Sequence, residues 1–178
     1  MSFQEFFQTE VKPALMKELG YKNVNEVPRL VKVVINVGAG EAVTNKGAIA
    51  KIQEQISIIA GQKAVVTKAR KSVSAFKIRE GLAIGVKVTL RGARMYHFIQ
   101  KLVTIVIPRL RDFRGIEEST VDLHENLNLG LTEQTLFPEI EYDKVDKVRG
   151  LQVTIVTTAK DKAKGRLLFE KLGVAFKK

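Results

Sequence analysis

Thirteen lysines and arginines lie between Gly61 and Gly115, and only Glu80 and Asp112 oppose them. The surplus equals the net charge of the whole chain, +11, so the rest of the sequence is neutral. Cations gathered in one block bind polyanions, because they neutralise phosphates and release condensed counterions. Apolar residues such as Val65, Phe76, Ile84, Val86, Val88 and Leu90 run through the block. That mixture marks a folded basic surface and not a disordered tail.

Catalytic chemistry is poorly supplied. The chain has no cysteine, hence no thiolate nucleophile or thiolate metal site and no disulfide framework. Its two histidines, His97 and His124, stand apart, and Asp122 and Glu125 beside His124 lack metal-ligand spacing. Glu139 and Glu141 flank Ile140 in an acidic stretch whose expected role is solvation. Gly38-Ala39-Gly40 follows a predicted strand as a dinucleotide-binding turn would. Val43, however, occupies the third glycine position and no parallel series follows. No nucleophile is paired with a base. No catalytic residue, metal or cofactor is expected, and an enzyme acting on RNA or nucleotides is the disfavoured alternative. No apolar run approaches the ~20 residues that span a bilayer. The cations span strands and loops instead of one amphipathic helix, which argues against a membrane-surface protein. The N-terminus, with Glu5 and Glu10 among phenylalanines, does not read as a secretory signal.

The elements that must hold the basic block follow from periodicity. Ser2 to Leu19 is predicted helical, with Phe3, Phe6, Phe7, Val11, Leu15 and Leu19 on one stripe and Pro13 as a kink or a new start. Arg29 to Val37 alternates as a strand, with Val31, Val33, Ile35 and Val37 on one side. Thr44 or Asn45 is the expected cap of a helix carrying Ile49, Ile52, Ile56 and Ile59. Ala64 to Thr67 reads as a short strand, Lys68 to Gly85 as a basic hairpin-like excursion, and Val86 to Arg91 as a strand. A helix from Gly92 to Val106 turns Tyr96, Ile99, Leu102, Val103 and Val106 inward. Residues 109 to 150 look irregular. A strand from Leu151 to Thr158 and a helix from Lys160 to Leu172, with Leu167, Leu168 and Leu172 inward, complete the chain.

Strand, helix, strand, strand, helix, strand is a split βαβ pattern. The expected fold is one α+β domain over residues 1–178: an antiparallel sheet with helices on one face, terminal helices, and the long basic excursion. The open face would carry Lys32, Asn36, Lys87, Thr89 and Arg91, with Gln62 and Lys63 nearby. Such groups donate to phosphates, 2′-hydroxyls or base edges. The bland alternative, an ordinary solvated sheet face, does not account for the lopsided charge. The face holds no stacking aromatics, so it does not look like an aromatic reader of single strands. Within Thr67 to Arg79, Phe76 is embedded among five cations. It either stacks on a base or anchors the excursion to the core.

Long stretches of this sequence resemble one family. They are Val27-Pro28-Arg29, Ile35 to Ala42, Gly61-Gln62-Lys63 with Thr67 to Arg79, Lys87 to Gly92, Pro108 to Gly115, Phe137 to Ile140, and Tyr142 to Val145. The chain is similar over nearly its whole length to bacterial ribosomal protein number five of the large subunit, a family of 5S ribosomal RNA binders. The resemblance implies a cytoplasmic, structural RNA-binding protein of the central protuberance. Its partners would be 5S rRNA, large-subunit rRNA, other large-subunit proteins, the peptidyl-site tRNA and small-subunit head protein number thirteen, with no membrane. By matching motif, 5S rRNA contacts would fall on Asn36, Gly38, Gln62, Lys63, Thr67, Lys68, Arg70, Thr89 and Arg91. The tRNA-contacting excursion would use Lys71, Ser72, Phe76, Lys77, Arg79, Gly81 and Ile84, and the intersubunit bridge Arg109, Arg111, Asp112 and Arg114. The sequence departs from the family's usual pattern at Ala75, where glycine is common, and at Ala83, where proline is common. It departs again at Asp122-Leu123-His124-Glu125-Asn126, which replaces a run containing glycine and arginine.

Overall fold

A computed structural model describes residues 2–45, 47–111 and 113–177. Its fold is α+β, with a five-stranded antiparallel open sheet. The strands are β1 (Leu30–Gly38), β2 (Val65–Lys68), β3 (Ala83–Leu90), β4 (Leu127–Leu131) and β5 (Leu151–Thr157), in the order β2-β3-β1-β5-β4. The helices are α1 (Phe3–Phe6), α2 (Lys12–Glu18), α3 (Ala48–Ala60), α4 (Gly92–Lys101) and α5 (Lys162–Lys171). The chain divides into two compact units. The first comprises Met1–Val33, Arg91–Leu129 and Thr154–Lys178; the second comprises Val34–Leu90 and Gly130–Val153.

In the first unit the N-terminal helix starts with a capping box. The Glu5 carboxylate accepts the Ser2 N–H at 2.8 Å, and the Ser2 hydroxyl accepts the Glu5 N–H at 3.2 Å. A π-turn, Phe7–Val11, joins α1 to α2, and Pro13 sits in the first turn of α2. The same device recurs after α4, where the π-turn Leu102–Val106 precedes Pro108. In both places the ladder changes its spacing just before a residue with no N–H to offer it; beyond Pro13 the helix continues as α2, whereas at Pro108 it closes in the short turn Ile107–Arg109. Phe3, Phe7, Val11 and Leu15 are buried on one stripe, while Phe6 and Leu19 are half-buried. Along α4 the buried side chains are Met95, Phe98 and Ile99, with Leu102 and Val106 beyond; Tyr96 and Val103 lie at the boundary of the stripe and not at its centre. On α5, Leu168, Phe169 and Leu172 face the core, while Leu167 is only half-buried. The helix also turns Gly165 inward, where an added Cβ would meet the Glu125 side chain at 2.8 Å.

In the second unit, α3 packs Ile49, Ile52, Ile56 and Ile59 inward, as helical spacing requires. Its N-cap is Gly47, with the Asn45 carboxamide oxygen accepting the Gly47 N–H at 3.1 Å. The turn Gly40–Val43 precedes it, which is why the cap falls later than the first polar residue.

Three boundaries differ from the sequence expectation. Val31 is 39% exposed, so the inward alternation of β1 runs from Val33 through Ile35 to Val37, and Leu30 takes the buried place at the strand start. The second strand is Val65–Lys68 and the third begins at Ala83, which shortens the excursion. A fifth strand, β4, lies inside the stretch read as irregular. Its Leu127, Leu129 and Leu131 alternate inward, but Asn128 and Gly130 between them are poor strand formers and hid the pattern.

Candidate nucleic-acid interface

Alternation builds the open face of the second unit. In β3, Val86, Val88 and Leu90 are buried, Lys87 is exposed and Thr89 half-buried; in β1, Ile35 and Val37 are buried and Asn36 is exposed. Val65 pairs with Lys87 and Thr67 with Gly85 across the antiparallel β2–β3 ladder. Directly paired residues share a face, so Val65 and Thr67 join Lys87 and Thr89. Gly85 is required here, since a Cβ would meet Thr67 Oγ1 at 2.7 Å and the Val37 carbonyl at 2.9 Å. At Gly38 and Gly40 a Cβ would meet nothing within 4 Å. Their bare backbone is open to a partner.

The turn before β2 is fastened to the helix behind it. Gln53 Nε2 donates to the Ala64 carbonyl at 2.7 Å, and the Ser57 hydroxyl accepts the Ala64 N–H at 2.9 Å. This holds Gln62, whose Nε2 donates to the Thr89 carbonyl at 3.3 Å, and the exposed Lys63 beside the end of β3. Lys68 and Arg70 are exposed at the far end of β2. Arg91 is exposed as the N-cap residue of α4 and belongs to the first unit.

The excursion is a closed hairpin. Ala69 N–H donates to the Leu82 carbonyl at 2.8 Å and the Ala69 carbonyl accepts the Gly81 N–H at 2.9 Å; nearer the tip Val73 and Ile78 exchange bonds of 2.9 and 3.1 Å. The Ser72 hydroxyl accepts the Glu80 N–H at 2.9 Å. A short turn at Ser74–Phe76 ends on Lys77, which takes φ 55°. Lys71, Ser72, Phe76, Lys77, Arg79 and Gly81 are all exposed. Phe76, 71% exposed, does not anchor the excursion, so of its two readings only the outward one stands. Ile84 lies outside the hairpin: it is half-buried in β3, where its carbonyl accepts the Ala39 N–H at 2.9 Å.

A charge network that sequence reasoning missed fixes the end of β1. The Arg149 Nε donates to Glu41 at 2.5 Å, its Nη1 and Nη2 to Asp146 at 2.8 and 3.0 Å, and Lys147 Nζ to Glu41 at 3.0 Å. The bonds from Arg149, then Lys147, hold the Glu41 carboxyl below its ordinary range, and Arg149 holds Asp146 well below its own. Arg149 is in turn held protonated, first by Asp146. The only sequence signal was Asp146 three residues before Arg149, which is too common to single out.

In the first unit, Arg109, Arg111 and Arg114 are placed at or near the surface, with Arg111 exposed and Asp112 outside the described residues. The chain is then pinned at Ile116, which exchanges bonds of 2.8 and 2.9 Å with Ala175 and Lys177. The departure at Asp122–Asn126 has its own logic. The Asp122 carboxylate accepts the His124 and Asn126 N–H groups at 2.8 and 2.9 Å and the Asn126 and Asn128 amides at 3.2 and 3.3 Å. Burial pushes its carboxyl upward, but these donors prevail and the pKa is lowered. Glu125 there takes φ 58°, a conformation glycine adopts more cheaply.

Two family models match the chain. One described as "Ribosomal protein L5" covers residues 23–79, and one describing the C-terminus of the same ribosomal family covers residues 83–176. Among curated relatives, the large ribosomal subunit protein uL5 of Fervidobacterium nodosum is 54% identical over 175 residues, covering 98% of this chain and 95% of that one. The uL5 of Roseiflexus castenholzii is 54% identical over 174 residues, covering 98% and 97%. That of Brevibacillus brevis is 50% identical over 175 residues, covering 98% and 97%. With both models matched and half the residues shared end to end, this chain belongs to the ribosomal protein L5 family.

Proposed function

We propose that the chain binds 5S rRNA through the open sheet face, reaches the peptidyl-site tRNA with the basic hairpin, and contributes Arg109, Arg111 and Arg114 to a bridge with small-subunit head protein number thirteen. It is a structural, non-enzymatic constituent of the large ribosomal subunit, which is cytoplasmic in bacteria. The observation that carries the RNA reading is the face itself. Asn36, Lys87 and Thr89 stand on strands whose alternate side chains are buried, so their positions are fixed before the RNA arrives, and Thr67 is paired to the same sheet opposite Gly85. Preorganised donors lose little entropy on binding and discriminate between sites. The surrounding cations supply affinity without sequence information.

The hairpin supports the tRNA part in a different way. It presents Phe76 and its cations to solvent on a frame closed by its own backbone bonds. The bridge part rests on three arginines of one short stretch, anchored by the Ile116 pairing. Binding of labelled 5S rRNA by Thr89→Val, Asn36→Ala and Arg91→Ala variants tests the reading. Each should weaken 5S rRNA more than an unrelated folded RNA, and equal losses on both would remove it.

A further inference from the structure

The loop before β1 carries Val27-Pro28-Arg29, a motif the sheet face leaves without a role. In the first unit this loop is the ridge between two adjoining clefts, of about 380 and 210 Å³, which share Asn25, Pro28 and Arg29. The larger cleft adds Tyr21, Lys160 and Lys164; the smaller adds Lys12 and Tyr96. Glu26 is the one acidic residue among the described lining residues, against Lys12, Arg29, Lys160 and Lys164. This cluster lies outside the basic block of residues 61–115, in the part of the sequence whose charges otherwise cancel.

The groove that these clefts form is held in shape by bonds that leave Arg29 and Lys160 exposed, whereas Lys164 is half-buried against Tyr21. The Arg29 N–H donates to Thr158 Oγ1 at 3.0 Å and its carbonyl accepts the Thr158 N–H at 3.0 Å, while the side chain is exposed. Lys164 Nζ lies 5.4 Å from the centre of the Tyr21 ring, and the Tyr96 ring 5.8 Å from that of Phe7. Asp161 caps α5 by accepting the Ala163 N–H at 3.2 Å, and its charge, like that of Glu26, still acts on Lys164 in the cleft. Cations beside a half-buried tyrosine in each cleft, Tyr21 in the larger and Tyr96 in the smaller, are the chemistry of unpaired RNA. Phosphates follow the cations and bases pack on the rings. The open sheet face holds no such rings.

We infer that this groove is a second RNA site, one that takes a short unpaired stretch with its phosphates on Arg29 and Lys160 and its bases against the tyrosines. The inference rests on the RNA-binding reading but uses none of that reading's residues. It is tested on the full-length protein with a single-stranded oligouridine containing 4-thiouridine, cross-linked by light and mapped by peptide mass. Cross-links should fall on the peptide holding Tyr21. Arg29→Ala combined with Lys160→Ala, both at exposed side chains, should cut their yield at least about fivefold while 5S rRNA affinity and the melting temperature hold. Thr89→Val should do the converse. Cross-links confined to the hairpin, or an unchanged yield in the double variant, overturn the groove. Persisting Tyr21 cross-links with a Thr89→Val protein that still binds 5S rRNA fully would overturn the sheet-face reading and leave the groove standing.

Discussion

The second unit displays its cations in two ways, on strands and on a hairpin. On β3 each outward group is flanked by a core residue: Val86 and Leu90 are 0% exposed and Val88 2%, so Lys87 and Thr89 have little choice of position. On the hairpin every residue from Arg70 to Lys77 is exposed, and it is closed by two sets of backbone bonds and the Ser72–Glu80 bond, with no core residue beneath that stretch. The difference is one of entropy. A group fixed by the core can read a site, whereas a group on an exposed hairpin supplies charge and reach and is ordered by its partner. Composition does not distinguish the two, since both are basic and both alternate with apolar residues.

The comparison can be broken at the core first. Ile35→Ala removes a fully buried side chain from beneath the face and should cost about 2–5 kcal/mol in chemical denaturation, with 5S rRNA binding lost alongside. Gly85→Ala pushes a methyl into Thr67 and the Val37 carbonyl and should cost about 1–3 kcal/mol. A value near zero would mean that the β2–β3 contact is looser than described.

Arg149→Met sharpens the account of how β1 ends, and should cost about 1–3 kcal/mol at neutral pH. The Glu41 and Asp146 carboxyls both sit below their ordinary values when folded. Their contribution is therefore fully present above about pH 4, the unfolded carboxyl range, and fades as pH falls below it. The variant's deficit should shrink in acid; a deficit independent of pH would mean that packing, not charge, holds Arg149. Smallest in effect on folding, Lys77→Ala with Arg79→Ala should leave folding stability within about 0.5 kcal/mol of wild type. It should also leave 5S rRNA affinity intact and lower tRNA binding. Loss of 5S rRNA affinity there would erase the distinction between strand and hairpin.

Much of this was legible in the sequence where period and charge agree. The isoleucines of α3, the alternation of β3 and the hairpin between two strands all followed from spacing. What was not legible depended on distance in the chain. β4 escaped because Asn128 and Gly130 weaken a leucine alternation, and its acceptance as a strand needs its neighbour β5. Phe76 read slightly better as an anchor to the core than as an outward ring, because an aromatic among cations satisfies either environment until the hairpin's closure is known. The Arg149 network joins residues 108 apart, and the groove around Arg29 joins loops over a hundred residues apart. Neither separation leaves a local pattern.

The most direct test is competition. Labelled 5S rRNA bound to the wild-type protein is challenged with excess unrelated folded RNA across a range of salt, and the Thr89→Val and Lys77→Ala/Arg79→Ala proteins are run beside it. The account predicts that wild-type and hairpin-variant complexes survive the competitor with a shallow salt slope, and that the Thr89→Val complex does not. Equal displacement of all three, with a steep common slope, would contradict it and reduce the basic block to a general polyanion surface.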